Sequence, residues 1–408
     1  MIKWYRFKNF YSFKEDTFVD LTLKENSSYS SYDTVVSDTK IAKIITVMGA
    51  NGSGKSNLLK PLAFLSWFCS SSFKKMDSDS LLPFYPHSTC AKEPSEIEIC
   101  FTDKDTNGND WEYKYLVILT RNKIIYEELK LKTSRLYTSL FKREYDTTSE
   151  KYKVRSHRQL ATEDGFPVSE MKTIPANSST IAYMHRKNSS LASIILDKIS
   201  SIDNNLNVYG KRSFNYSNVI TATKYYADDK DMFKQAIKYL KRMDLGLDDI
   251  VLKEEDVVDK ESGERKKEFL PYGVHKCDGK KFRVPFYMES SGTQACYYFI
   301  LSLLISIRDG GVAVIDELDS DLHPAMVVEL LTLFENEAIN TNNAQLIFSC
   351  HSPEILKNLK KHHVYLVEKE DGKSDCWRLD DIKGLRSQDN LYSKYITGSL
   401  GGVPDICL

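Results

Sequence analysis

The spacing of apolar and polar positions changes period several times along the chain, and those changes divide it. Residues 2–7 alternate, and so do residues 18–23; both predict strands. The continuous apolar run 41–48 predicts a single buried strand. Beyond it, Leu58, Leu62, Leu65 and Phe68 keep helical spacing. Residues 96–101, 111–118 and 123–131 return to alternation and predict a three-stranded antiparallel meander, with turns at Asn107-Gly108-Asn109 and Arg121-Asn122. Residues 141–189 are polar and weakly periodic, predicting a strand or two among loops. Two amphipathic helices follow: Leu191, Ile194, Ile195 and Ile199 share one face, and Met232, Phe233, Ala236, Ile237 and Leu240 share another. Residues 254–268, rich in Glu, Asp and Lys, predict an exposed solvated loop, and Cys277-Asp278-Gly279-Lys280 predicts a hairpin turn.

Three apolar strands in this pattern end in chemistry. The first runs into Gly49-Ala50-Asn51-Gly52-Ser53-Gly54-Lys55-Ser56, which fits G-x-x-x-x-G-K-[ST], and Asn57 opens the helix behind it. Glycines let the backbone curl so that successive N–H groups face a polyphosphate, and the helix N-terminus adds positive dipole. Asn51, Gly52, Ser53, Gly54, Lys55, Ser56 and Asn57 therefore form a nucleotide cradle. Lys55 would reach the β/γ-phosphates, and the Ser56 hydroxyl would ligate Mg²⁺. The second strand, residues 311–315, ends in Asp316-Glu317. A strand ending in two acids is common by itself, but beside a phosphate-binding loop it becomes specific. Asp316 would orient the Mg²⁺ shell and Glu317 would polarise the attacking water. The third strand, residues 345–350, ends in His351. One helix separates it from the second, so a parallel sheet would bring both ends to the same ligand edge. Upstream, Ser290-Ser291-Gly292-Thr293-Gln294 starts a long apolar helix and offers a second anion cradle.

Composition adds exclusions. With 408 residues, 41% hydrophobic and 28% charged, the chain can build about two domains or one large domain with an insertion. A net charge of −1 argues against a uniformly basic nucleic-acid binder. Eight cysteines without a C-x-x-C pair predict reduced thiols. The N-terminus lacks a signal-peptide apolar core, and the longest apolar helical stretch, about residues 296–307, is too short to span a bilayer. A cytoplasmic location without membrane contact is expected. No separate carboxylate cluster for a two-metal nuclease is evident.

The order P-loop, Ser-Ser-Gly, Asp-Glu, His resembles the ATP-binding-cassette ATPases, in particular their soluble SMC/RecF-like branch. The implied fold is α/β: a P-loop ABC-type ATPase head with an antiparallel β lobe and a mainly helical lid insertion. Its parts would be residues 1–140 (P-loop and meander), 141–267 (lid) and 268–408 (signature, acidic strand and histidine). The resemblance implies that two protomers pair head to tail around ATP, with Ser291 and Gly292 acting in trans on the γ-phosphate. Asp319 matches the D-loop and His351 the switch histidine. One departure stands out: no glutamine lies between Ser56 and Gln159, where the class places a Mg²⁺-sensing glutamine, so either a side chain in the region 83–87 takes its part or that sensing step is missing.

A narrower likeness rests on Phe7-Lys8-Asn9-Phe10-Tyr11-Ser12-Phe13, the P-loop, Glu289-Ser290-Ser291-Gly292-Thr293, Asp316-Glu317-Leu318-Asp319, His323-Pro324, His351-Ser352-Pro353 and residues 395–404. These are similar to stand-alone bacterial ATPases of anti-phage defence, the group of AriA of the PARIS system, AbiL-type ATPases, RloA and PtuA. That likeness implies an ATP-dependent sensor and scaffold that restrains or releases a partner effector, such as a nuclease toxin, in response to a phage-encoded trigger. The competing expectation is a RecF-like repair ATPase acting directly on DNA through Lys238, Lys241, Arg242, Arg265, Lys266, Lys267, Lys280, Lys281 and Arg283.

Overall fold

A computed structural model describes residues 1–75, 77, 79–104, 110–132, 134–157, 167–258 and 265–404. Strands β1 (Ile2–Lys8), β2 (Thr17–Asp20), β3 (Asp33–Val36), β4 (Thr39–Ala42) and β5 (Ile44–Gly49) precede helix α1 (Lys55–Lys75). Next come β6 (Ser95–Lys104), β7 (Asp110–Leu119), β8 (Ile124–Lys132), β9 (Tyr137–Asp146) and β10 (Lys151–Ser156). Helices α2 (Val168–Met171), α3 (Thr180–Arg186) and α4 (Ser190–Ser200) lead to the short strands β11 (Ile202–Asn204), β12 (Leu206–Asn207) and β13 (Gly210–Lys211). Helices α5 (Tyr216–Asp228) and α6 (Lys230–Arg242) are followed by β14 (Asp249–Val258), β15 (Arg265–Cys277) and β16 (Lys280–Pro285). The chain closes with α7 (Ser291–Asp309), β17 (Val312–Ile315), α8 (Pro324–Glu335), β18 (Gln345–Ser349), β19 (Val364–Glu370), β20 (Lys373–Arg378) and α9 (Leu391–Ile396).

The central sheet has the order β11-β17-β18-β5-β19-β20, parallel except for the last strand. Its inner strands read as unbroken apolar runs because both faces are covered, as parallel sheets require. Period-two alternation sends Ile45, Val47, Val312, Val314, Ile347 and Val367 into one core, with α1 and the antiparallel lobe. Ile44, Met48, Ala313, Ile315, Leu346 and Phe348 enter the other, with α7 and α8. The lobe is a seven-stranded sheet, β10-β9-β8-β7-β6-β1-β2, so the expected three-stranded meander is its middle. Leu58, Leu62, Leu65 and Phe68 are fully buried on α1, as their spacing predicts.

Several expectations need correction. Residues 41–48 form two strands, because the chain breaks at Lys43. Its N–H donates to Tyr32 O and its carbonyl accepts from Leu346 N. Residues 254–258 and 265–268 are not loop but strand, in the β14–β15 pair, with Glu254 opposite Phe269 and Asp256 opposite Lys267. Lys267 Nζ also lies 3.3 Å from Glu254 Oε2. Both faces of this ribbon carry charge, so it showed no apolar alternation; the link at 259–264 lies outside the described residues, as does the turn at 107–109. The divisions at 140 and 267 each fall inside a strand, β9 and β15, and β11, from within the expected lid, pairs with β17 of the head.

A buried polar clamp ties β3 to the start of β19. His362 Nε2 and His363 Nε2 lie 3.1 and 2.9 Å from Asp33 Oδ1. Three such groups could hold a metal by distance alone. However, His363 Nδ1 accepts from Lys360 N (3.1 Å), so Nε2 carries the ring proton and donates to Asp33. A ligand would need that lone pair, so the cluster is a hydrogen-bonded clamp. Burial pushes His363 down to about 4, against the raising effect of Asp33. Burial alone would raise Asp33, but hydrogen bonds from both histidines hold it well below the carboxylate range. The unfolded chain therefore binds a proton at His363 below about pH 6.5 that the folded chain refuses. The stability this contributes is present above that pH and is lost as pH falls toward 4. The melting temperature should drop between pH 7 and pH 5, and less steeply in His363→Gln; identical slopes would show that the clamp does not set this dependence.

The seven described cysteines are unpaired. Among the described residues no helix is long and apolar enough to cross a membrane.

Candidate nucleotide site

The phosphate loop leaves the C-terminal end of β5 and closes into α1 at Lys55. Gly54 has φ +117°, and a Cβ there would lie 2.4 Å from Ser374 Oγ and 2.9 Å from Ser12 Oγ, so only glycine fits. Those two hydroxyls form a rim that the sequence reading did not assign. Asn57 Nδ2 donates to Ser12 Oγ (2.9 Å), and Ser374 Oγ donates to Ser53 O. Lys55 Nζ turns back onto Gly49 O and Ala50 O, both at 3.0 Å. Burial lowers its pKa, while the fields of Asp316, Glu317 and Asp319 act in the opposite sense. Ser53 Oγ is buried without a partner. An inward lysine held, among the described residues, only by loop carbonyls, together with an orphaned hydroxyl and a Cβ-free turn, fits an anionic ligand.

The acidic pair sits at the matching end of β17. Asp316 is 1% exposed, and Ser349 Oγ, from the end of β18, donates to its Oδ1 (2.6 Å) while accepting from Glu317 N (2.7 Å). One serine thus sets the spacing of both acids. The Asn205 side chain clasps Asp316 on its other edge: Nδ2 donates to Asp316 O (2.9 Å) and Oδ1 accepts from Asp316 N (2.7 Å). Glu317 adopts φ +50°, unusual for a non-glycine residue, and its half-exposed carboxylate lies 3.3 Å from Lys211 Nζ. Asp319 Oδ2 accepts from His351 N (2.9 Å) and Ser352 Oγ (2.8 Å), so Asp319 braces the strand end that presents His351, whose ring is exposed.

Ser290, not Ser291, caps α7, its Oγ accepting from Thr293 N (3.1 Å). Ser291 is the first helical residue and is exposed. A Cβ on Gly292 would meet Asp321 O at 2.7 Å, so glycine is needed where α7 meets the loop after Glu317. Among the described residues no hydrogen bond joins 290–292 to the phosphate loop. The region 83–87 packs on the 9–13 turn: Tyr11 N donates to Tyr85 O (2.8 Å) and His87 N to Asn9 Oδ1 (2.8 Å).

Ser12, Ser349, Ser374, Asn205 and Lys211 escaped sequence reading. Ser12 lies inside the Phe7–Phe13 segment and Ser349 two residues before His351, so adjacency to recognised motifs is their one sequence signal. Asn205 and Lys211 carry no local signal.

Among solved structures, the chain resembles one titled "Crystal structure of the SmcHead bound to the C-winged helix domain of ScpA", at 15% identity and a TM-score of 0.46, over 93% of this chain and 98% of that one. No curated protein matches it. A family profile matches residues 44–357, which includes the phosphate loop, the Ser-Ser-Gly helix, the acidic strand and the His351 strand end. The chain is thus a P-loop ATPase of α/β architecture, and it belongs to the family described as "AAA domain, putative AbiEii toxin, Type IV TA system".

Proposed function

We propose that this ATPase binds Mg²⁺·ATP at Gly49–Ser56, pairs head to tail with a second copy around the nucleotide, and uses that pairing to control a partner effector in phage defence. The observation that carries the pairing is the Ser-Ser-Gly end of α7. It is exposed, flanked by Tyr287 and Met288 at 63% and 65% exposure, and unconnected to its own phosphate loop. Such an apolar patch beside free helix N–H groups suits a nucleotide held by another copy. The reference to a toxin–antitoxin system in the family description supports an effector-linked role.

In this reading Lys55 and the loop N–H groups hold the phosphates, and Ser291 and Gly292 of the second copy cover the γ-phosphate. Ser56 and Asp316 would hold Mg²⁺, which supplies charge neutralisation at the phosphates when bound. Glu317 accepts the proton of the attacking water, and His351 stands at the end of the neighbouring strand. Direct DNA binding is less favoured. Lys241, Arg242, Lys266, Lys267 and Lys281 each lie within 4.0 Å of an acidic side chain, Asp249, Glu329, Glu268, Glu254 and Asp248 in turn.

The test is mass by light scattering. Glu317→Gln with ATP and Mg²⁺ should double in mass relative to the nucleotide-free protein, and Ser291→Arg in the same background should stay monomeric. A mass unmoved by ATP would refute pairing.

A further inference from the structure

The segment between α4 and α5 does more than cross the lid. β11 adds itself parallel to β17, from Ile202 opposite Val312 to Asn204 opposite Val314. Asn205 continues that pairing with its side chain, holding both backbone groups of Asp316. The chain then turns through the β12–β13 hairpin, and the final residue of that hairpin is Lys211. Its ammonium lies 3.3 Å from Glu317 Oε2 and donates to Ser320 Oγ. The hairpin is anchored at its base, where Leu206 is 3% exposed and its carbonyl accepts from Arg212 Nε (2.9 Å). Val208 O accepts from Tyr11 Oη (2.9 Å) and from Lys60 Nζ (3.1 Å) on α1. A cavity of about 330 Å³, walled by Tyr11, Trp67, Leu206 and Arg212, lies alongside, and Tyr209 at the tip is 88% exposed.

We propose that Lys211 is a latch on the catalytic carboxylate. This rests on the reading of Glu317 as the base. A base must accept a proton from water through a carboxylate lone pair, and in this arrangement an ammonium donates to that carboxylate and fixes its direction. Ser320, two residues beyond Leu318, receives the same ammonium, so one side chain restrains both the acid and the loop that follows it. Asn205 is separate from the restraint: it holds the backbone of Asp316, not the carboxylate of Glu317. Turnover requires the hairpin to shift and free Glu317. The adjoining cavity leaves room for that movement, and the exposed tip offers a handle for whatever drives it.

The experiment compares steady-state ATP hydrolysis by the full chain with that of Lys211→Met, Lys211→Arg, Glu317→Gln and the Lys211→Met/Glu317→Gln double variant. Lys211→Met should raise kcat roughly three- to fivefold with KM nearly unchanged, the effect of releasing a half-exposed ion pair. Lys211→Arg should return the rate toward that of the native chain, and the double variant should gain nothing over Glu317→Gln. A purely structural role would instead move KM or melting temperature. If Glu317→Gln abolishes turnover but Lys211→Met leaves kcat unchanged or lowers it, the latch is wrong and the base assignment stands. If Glu317→Gln hydrolyses ATP at the native rate, the base assignment fails and the latch with it.

Discussion

Lys55→Ala should weaken ATP binding about 100-fold and abolish measurable hydrolysis. The ammonium is buried, and its hydrogen bonds go to Gly49 O and Ala50 O, carbonyls of the loop that would receive the phosphates. A charge-assisted hydrogen bond is worth about 1.5–3 kcal/mol, and every 1.4 kcal/mol is about tenfold in affinity. The lost attraction to a polyanion alone therefore accounts for an effect of this size. Folding should be little affected, because burial already disfavours the charged ammonium and among the described residues it hydrogen-bonds only loop carbonyls. Titration calorimetry with ATP and Mg²⁺ measures the change. A Kd within threefold of the native value, with the fold intact by circular dichroism, would show that this loop is not the nucleotide site.

Glu317→Gln should lower kcat by roughly 10²- to 10⁴-fold, the range for removing a positioned general base, while leaving Kd for ATP nearly unchanged. The substitution keeps shape and volume. The backbone at 317 is held by its N–H to Ser349 Oγ, a bond the side chain does not make. Loss of the negative charge also weakens the contact with Lys211, so the variant should bind nucleotide at least as well as the native protein. Single-turnover hydrolysis separates this from a binding defect. A fall of less than threefold would move the base elsewhere, with His351 the next residue to substitute.

Much of this site is legible before any coordinates. Gly54 had to be glycine, a helix had to open just behind the loop (at Asn57 by the sequence, at Lys55 in the structure), and Asp316 had to end a buried strand, because each follows from local geometry over a handful of residues. The parallel sheet was readable for the same reason: strands covered on both faces cannot hide their apolar runs. The β14–β15 ribbon was not readable. Its charges are solvated on both faces, and cross-strand neighbours such as Asp256 and Lys267 are brought together by pairing alone. The break at Lys43 was invisible as well, since the partners of its backbone groups, Tyr32 and Leu346, lie far away in sequence. Which of the two adjacent serines caps α7 was likewise settled only by the fold, where Ser290 Oγ accepts from Thr293 N.

By itself the sequence determined the fold class, the phosphate loop, the acidic strand end and the order of parts around them, because those depend on periodicity and short-range backbone geometry. Only the tertiary structure decided who controls the acids. Ser349, Asn205 and Lys211 reach Asp316 and Glu317 from more than 30 and more than 100 residues away. Hydrogen bonds and ion pairs act over a few ångströms of space whatever the distance along the chain, so such partners appear only once the sheet has ordered its strands.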